Sequence, residues 1–371
     1  MPRNFPAPLF FTAMKTIGPF AVLIALLLCA GCIAEDACNR ASVKQRAADV
    51  GQHGVLRAES GDLDAAFIDF NHALELDPKN ADLYYSRGTA KFTKGDLDGA
   101  IADCTSAIEL DPKNSDAYFE RGYAMYAKGE YDRAITDYLQ VLALDTKNSE
   151  ARNAIIYVFR GLAKRAKQDS IGALADFREG AKLGEIYAAF WSFLTQTESD
   201  QRDNGSKELG AALDRFRKPG ADEWSLQVGN FLLGRTAFAA FLAQAPAIKN
   251  DYFQRGQTCQ VWYYQGMLQK FTGQRAEAMD SFRKTIATER KDAVEYHEAI
   301  RELKALEAGA KEEAALDWFG VALRVSAGID SPSLVPRSRD GFGALSNFGR
   351  DSHATPDSAA IRAAGAPRLH G

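Results

Sequence analysis

The chain has 371 residues, enough for one large core or two smaller ones, and 46% hydrophobic with 25% charged residues is the balance of a folded globular protein. A formal net charge of −4, with no basic stripe anywhere, excludes the electrostatic footprint of a nucleic-acid binder.

The N-terminal stretch is targeting sequence rather than fold. Lys15 precedes IGPFAVLIALLLCAGC (17–32), an apolar run too short to cross a bilayer comfortably and ending in small residues, the pattern of a secretory signal. Met14 is a candidate start. Leu28-Cys29-Ala30-Gly31-Cys32 resembles a bacterial lipobox, with Cys29 standing where leucine is usual. Two outcomes stay open: lipidation at Cys32, or cleavage after Ala34 that discards it. Either places the mature chain outside the cytoplasm, where disulfides are allowed.

A period of 34 residues follows. VGQHGVLRAESGDLDAAFIDFNHALELDPKN (50–80), YYSRGTAKFTKGDLDGAIADCTSAIELDPKN (84–114) and YFERGYAMYAKGEYDRAITDYLQVLALDTKN (118–148) align without a gap. Helix, turn and helix at this period resemble the tetratricopeptide repeat, which predicts an all-α superhelical solenoid. Gly54, Gly88 and Gly122 fall inside the first helix, where glycine costs about 1 kcal/mol against alanine. The expected compensation is close approach to Ala66, Ala100 and Ala134. Gly61, Gly95 and Gly129 are expected to end the first helix in a left-handed turn, and Pro78 and Pro112 to close the second. Arg160-Gly161, Ala173, Phe177 and Leu183 mark a fourth unit after a five-residue slip. A further unit spans 259–287, with Trp262, Gly266, Gly273, Ala278 and Phe282 in place.

Charges recur with the repeat. Arg87, Arg121 and Arg160 each precede an aspartate by sixteen residues (Asp103, Asp137, Asp176), as His53 precedes Asp69, and Gln265 and Ser281 replace both charges together in the last unit. Residues that change together are partners, so ion pairs between the two helices of a unit are expected. Cys104 takes a core position and reads as a buried thiol. Cys38 and Cys259 could pair or stay free, and no cysteine spacing suits a metal.

Between the units, 187–194 reads as a buried helix and 203–216 as a loop followed by an amphipathic helix. Residues 222–234 and 236–245 read as a helix pair, and 291–306 as a terminal helix covering the open end of the stack. The expected organisation is therefore a signal (1–34), repeats (35–183), a divergent helical segment (184–258), a final repeat with its capping helix (259–310) and a tail (311–371). The tail contains no Lys or Glu after Glu313 and is rich in Pro, Gly, Ser and Arg; it reads as disordered, with 315–325 able to form one more helix.

Tyr187–Trp191, Trp224 with Phe231–Gly234, Cys259 with Tyr263–Gly266, and Glu295-Tyr296 ahead of Arg301–Leu303 follow the repeats in an order similar to the "new lipoprotein I" family of Gram-negative envelope proteins. The resemblance covers about residues 30–306. It implies a homodimeric adaptor, anchored to the outer membrane by lipid and facing the periplasm, that docks an envelope protease or peptidoglycan hydrolases. A second reading is a structural assembly factor, pilotin-like or a barrel-assembly lipoprotein.

No catalytic constellation appears. The five histidines lie at no ligand spacing, and neither a P-loop nor a nucleophile elbow is present, so no enzyme activity, cofactor or metal is expected. What remains is surface. Positions 2, 5, 9 and 12 of each first helix form a stripe toward the hollow of the superhelix: Asp82, Tyr85, Thr89 and Phe92, then Asp116, Phe119, Tyr123 and Tyr126, then Ile155, Val158, Leu162 and Arg165. Chaperone-binding relatives carry Lys and Asn there to grip a carboxylate, and this chain has neither. Tyr85, Phe92, Phe119, Tyr123, Tyr126 and Val158 are the candidate contacts for a protein or peptide partner. The alternative is that the same aromatics are covered by other parts of the chain as ordinary core.

Overall fold

Asp62, Asn80, Asp96, Asn114 and Asp169 each turn a side-chain oxygen onto a backbone N–H two or three residues ahead, and each begins a helix. At the other end Gly95 and Gly129 stop their helices at φ of 91° and 88°, the left-handed turn expected of them. The computed structural model describes residues 41–144, 150–218, 222–245 and 251–326. The signal segment with Cys32, together with Cys38 and residues 327–371 of the tail, lies outside those bounds.

The helices are α1 (41–59), α2 (Leu63–Leu76), α3 (Ala81–Lys94), α4 (Leu97–Leu110), α5 (Ser115–Lys128), α6 (Tyr131–Leu144), α7 (Glu150–Ala166) and α8 (Ser170–Lys182). They continue as α9 (Ile186–Glu198), α10 (Arg202–Phe216), α11 (Glu223–Leu232), α12 (Phe238–Gln244), α13 (Asp251–Phe271), α14 (Arg275–Ile286) and α15 (Val294–Ser326). Among the described residues there is no strand. The chain divides into two units, 1–312 and 313–371; everything below concerns the first. It is an all-α tetratricopeptide solenoid in which consecutive helices pack as antiparallel pairs, α3 on α4, α5 on α6, α7 on α8, and α13 on α14.

Ala66, Ala100, Ala134, Ala173 and Ala278 are all buried, as the repeat requires. The glycines of the first helices, however, make room for something other than these alanines. A Cβ placed on Gly161 would lie 2.6 Å from the Phe177 ring, and one on Gly122 2.9 Å from the Tyr138 ring. The glycine admits the side chain sixteen residues on, and Gly88 also approaches its alanine, at the Ala100 carbonyl. In that unit the large ring is replaced by Cys104, whose free, buried thiol is pushed up to about 12 by desolvation.

Two expectations for the later chain are corrected. Asn204-Gly205-Ser206 is not a loop but the first turn of α10. The Asn204 amide bonds Gln196 and Glu208, and Gly205 packs against Phe193 of α9. The terminal helix does not end near 306: α15 spans Val294–Ser326. The expected pair over 222–245 is present, with Phe231 stacked on Phe241 at 4.5 Å and Trp224 on Phe241 at 5.3 Å.

Candidate partner-binding face

The recurring charges hold each helix pair in register. Arg87 donates from Nε and an Nη to both oxygens of Asp103 at 2.7 Å, and Arg121 does the same to Asp137 at 2.8 Å; Arg160 repeats the geometry on Asp176. Each guanidinium also lies 5.2–5.6 Å from the ring of the tyrosine three residues before it, Tyr84, Tyr118 or Tyr157. Arg87 and Arg121 reach back to the preceding unit as well, to Asn71 and Thr105.

The outer units depart from the sixteen-residue rule. Asp69 pairs with Arg57 rather than His53, and Ser281 donates to Gln269 rather than Gln265. Both partners stand one helical turn later. The same later position supplies a second cation to Asp103 (Lys91, 2.8 Å) and Asp176 (Lys164, 2.8 Å), while Asp137 has Met125 there. Each aspartate therefore faces two positions of the first helix, and the sequence period reveals only one of them.

The aromatic stripe is real, and most of it is covered from within. Phe92, Tyr123, Tyr126 and Val158 are 3–6% exposed, whereas Tyr85 and Phe119 keep partial exposure. Phe92 and Tyr123 meet at 4.6 Å, Tyr123 and Phe159 at 4.9 Å, and Phe119 and Phe159 at 5.1 Å. The cover is the chain around the start of α15. His297 lies 5.9 Å from both Phe92 and Tyr123, and Tyr123 donates to the Asp292 carbonyl at 3.0 Å. Tyr126 donates to Glu298, and Lys291 donates to the Lys94 carbonyl at 3.3 Å. As a fully open partner strip the sequence reading is thus corrected at Phe92, Tyr123 and Tyr126, while Val158, 6% exposed, shows only its edge in a neighbouring cleft.

Behind this cover lies a charge network. Arg165, Lys270 and Arg301 face Glu198, Glu298 and Glu302, so three cations balance three carboxylates. Arg165 bonds all three glutamates and sits 5.7 Å from the Trp191 ring. Burial alone would raise the Glu298 carboxyl, but Arg301 and Arg165 hold it down at about 2. Burial likewise opposes the charge of Arg165, and Glu198 and Glu298 more than restore it. The paired charges reach from α7 to α15 and fix the terminal helix in the hollow.

Two clefts stay open beside the covered strip. Tyr85 lines one near the N-terminal end, with Val55, Leu63, Phe70 and Thr89. The second, a recess of about 200 Å³ on α7, α9, α13 and α15, includes Val158, Phe159, Tyr187 and Trp191. Among the described residues no cluster of three His, Cys, Asp or Glu is placed to hold a metal, and no helix is long and apolar enough to cross a membrane.

A stack of helix pairs with an aromatic stripe along its first helices defines a tetratricopeptide solenoid, the architecture of protein-interaction scaffolds. Two family models match, one described as "Tetratricopeptide repeat" over residues 85–151 and one as "TPR repeat" over 54–95, so the chain carries tetratricopeptide repeats across residues 54–151. No curated protein matches it. Among solved structures it is similar to a MamA protein at 23% identity, covering 49% of this chain and 97% of that one, with a TM-score of 0.42. The second TPR domain of Spaghetti (RPAP3), bound to the HSP90 peptide SRMEEVD, matches at 31% identity over 27% of this chain and 94% of that one, TM-score 0.27. YrrB, described as having an unusual peptide-binding site, matches at 16% identity over 59% and 91%, TM-score 0.34.

Proposed function

We propose that this protein is a non-catalytic scaffold of the bacterial cell envelope that captures a protein or peptide partner on the open parts of its concave face. The observation that carries the reading is the pair of clefts at Tyr85 and at Val158–Phe159, apolar and aromatic, flanking a strip that the chain itself fills. Such surfaces give contact area at little entropic cost. The apolar segment 17–32 and Cys32 support export, with the lipid anchor at Cys32 and an outer-membrane, periplasm-facing location. The order of residues shared with the new lipoprotein I family supports a homodimeric adaptor for an envelope protease or cell-wall hydrolase. Structural assembly factors use the same repeats, so the partner's identity separates the two readings.

The test is capture from detergent-solubilised envelopes by wild type, Tyr85→Ala and Phe119→Ala, read by mass spectrometry beside circular dichroism of each variant. Hydrolases lost from the folded variants support the adaptor; secretin or barrel subunits support the assembly factor. Undiminished capture by both variants moves the docking site away from this face.

A further inference from the structure

The second recess carries a feature that the repeat does not call for. Its floor holds Glu295, only 3% exposed, and its mouth holds Glu185, half-buried. Neutral groups satisfy Glu295: Gln260 donates from Nε2 to Oε1 at 3.1 Å, and the Tyr264 hydroxyl approaches the same oxygen at 3.4 Å. Gln260 is fixed in turn by Trp224, whose Nε1 donates to its Oε1 at 2.6 Å. The buried glutamates one and two turns further along α15 do meet cations. Glu298 and Glu302 meet Arg165 and Arg301, whereas the guanidinium nearest Glu295 in effect, that of Arg290, donates from Nε and an Nη to Asp292 at 2.9 Å. A buried carboxylate without a counter-charge is costly unless a cation arrives.

We infer that this recess binds the side-chain ammonium of a lysine carried by a peptide lying in the hollow. The walls fit the methylene stem: Val158 and Phe159 on one side, Tyr187 and Trp191 on the other, the aromatic faces also favouring a cation. The two donors to Glu295 share Oε1, and Oε2 takes part in neither bond. With Oε1 already taken by both side-chain donors, the compact point charge of an ammonium fits this carboxylate better than the planar fork of arginine, which needs both oxygens. Burial raises the Glu295 carboxyl, and its hydrogen bonds and the more distant Arg290 only partly oppose that shift. Ile155, 41% exposed at the rim, leaves the way in open.

This inference rests on the peptide-binding reading, and the experiment separates the two. Peptides are selected from a random display library on wild type, then titrated against wild type, Glu295→Gln and Ile155→Trp, with circular dichroism of each. Nα-acetyl-lysine N-methylamide is titrated in parallel, read by tryptophan fluorescence. Ile155→Trp narrows the mouth from an exposed position and so tests the recess even where Glu295→Gln fails to fold. The expected result is that selected peptides carry a lysine at one fixed place. Their affinity falls about tenfold or more in both variants and on replacing that lysine by norleucine. Peptides that bind all three proteins alike, or tolerate norleucine, overturn the lysine site and leave the peptide-binding face standing. Capped lysine bound in a Glu295-dependent way, with no peptide captured, upholds the ammonium site and overturns the peptide reading instead.

Discussion

The Tyr123 hydroxyl donates to the Asp292 carbonyl over 3.0 Å, although 169 residues separate the two. The bond ties the third repeat to the turn ahead of α15. With Tyr126 on Glu298 and Arg165 on Glu298 and Glu302, it makes the terminal helix part of the core of the repeats before it.

Removing Arg165 tests that arrangement. Arg165→Ala leaves Glu198, Glu298 and Glu302 with two cations in place of three. Stability falls by about 3–5 kcal/mol, because the remaining charge is buried without compensation. Amide exchange over 294–306 should quicken more than over α3 and α4. Equal acceleration everywhere would show that α15 is not selectively held by this residue.

The ion pairs between helices should differ in a specified order. Arg87→Ala leaves Asp103 with Lys91, whereas Arg121→Ala leaves Asp137 with no cation, since Met125 takes the corresponding place. Arg121→Ala is therefore the more destabilising of the two, by about 1 kcal/mol or more. A double-mutant cycle of Arg121→Ala with Asp137→Ala, by urea unfolding, should give a coupling of about 1–3 kcal/mol. Additive losses would mean the two do not interact.

Gln168 adopts φ of 66° at the position where Gly95 and Gly129 stand in earlier units. Its backbone bonds match theirs: Gln168 N–H to the Arg165 carbonyl and Asp169 N–H to that of Lys164. Gln168→Gly should raise stability by about 0.5–1 kcal/mol through relief of the left-handed strain. An unchanged or lowered unfolding midpoint contradicts this.

Glu120 on α5 predicts a pH dependence. Burial first, and then the charge of Asp116, raises its carboxyl to about 7. Unfolded, it titrates near ~4.3. The folded state holds the proton more tightly, so stability declines as pH rises from about 4.5 to 7 and stays lower above. Glu120→Gln should match wild type at pH 4 and exceed it at pH 8, in midpoints of chemical denaturation. Glu298 acts with the opposite sign in a lower window: held at about 2, it contributes stability that is present above pH 5 and lost toward pH 2.

The repeats were legible because their determinants are local and periodic. A cap asparagine, a left-handed glycine and an arginine sixteen residues from its aspartate recur in register, and Arg87, Arg121 and Arg160 pair as their spacing predicts. The covering of Phe92, Tyr123 and Tyr126 was not legible in the same way. It depends on a helix some 170 residues downstream, and an amphipathic stripe looks the same whether its partner is another protein or the same chain. Asn204-Gly205-Ser206 misled for a different reason. Local composition favours a turn, but bonding of Asn204 to Gln196 and Glu208 outweighs it.

A stack of repeats joined only to their neighbours is a spring, and springs fray from the end where the last coil has one companion. In this protein the Lys291–Glu302 segment returns to Lys94, Tyr123, Tyr126 and Arg165, so the last coil is latched to the second, third and fourth. Stretched in an optical trap by handles at residues 41 and 312, the molecule should hold its length until that latch parts. It should then lengthen in a single large step, rather than paying out one coil after another from the C-terminal side.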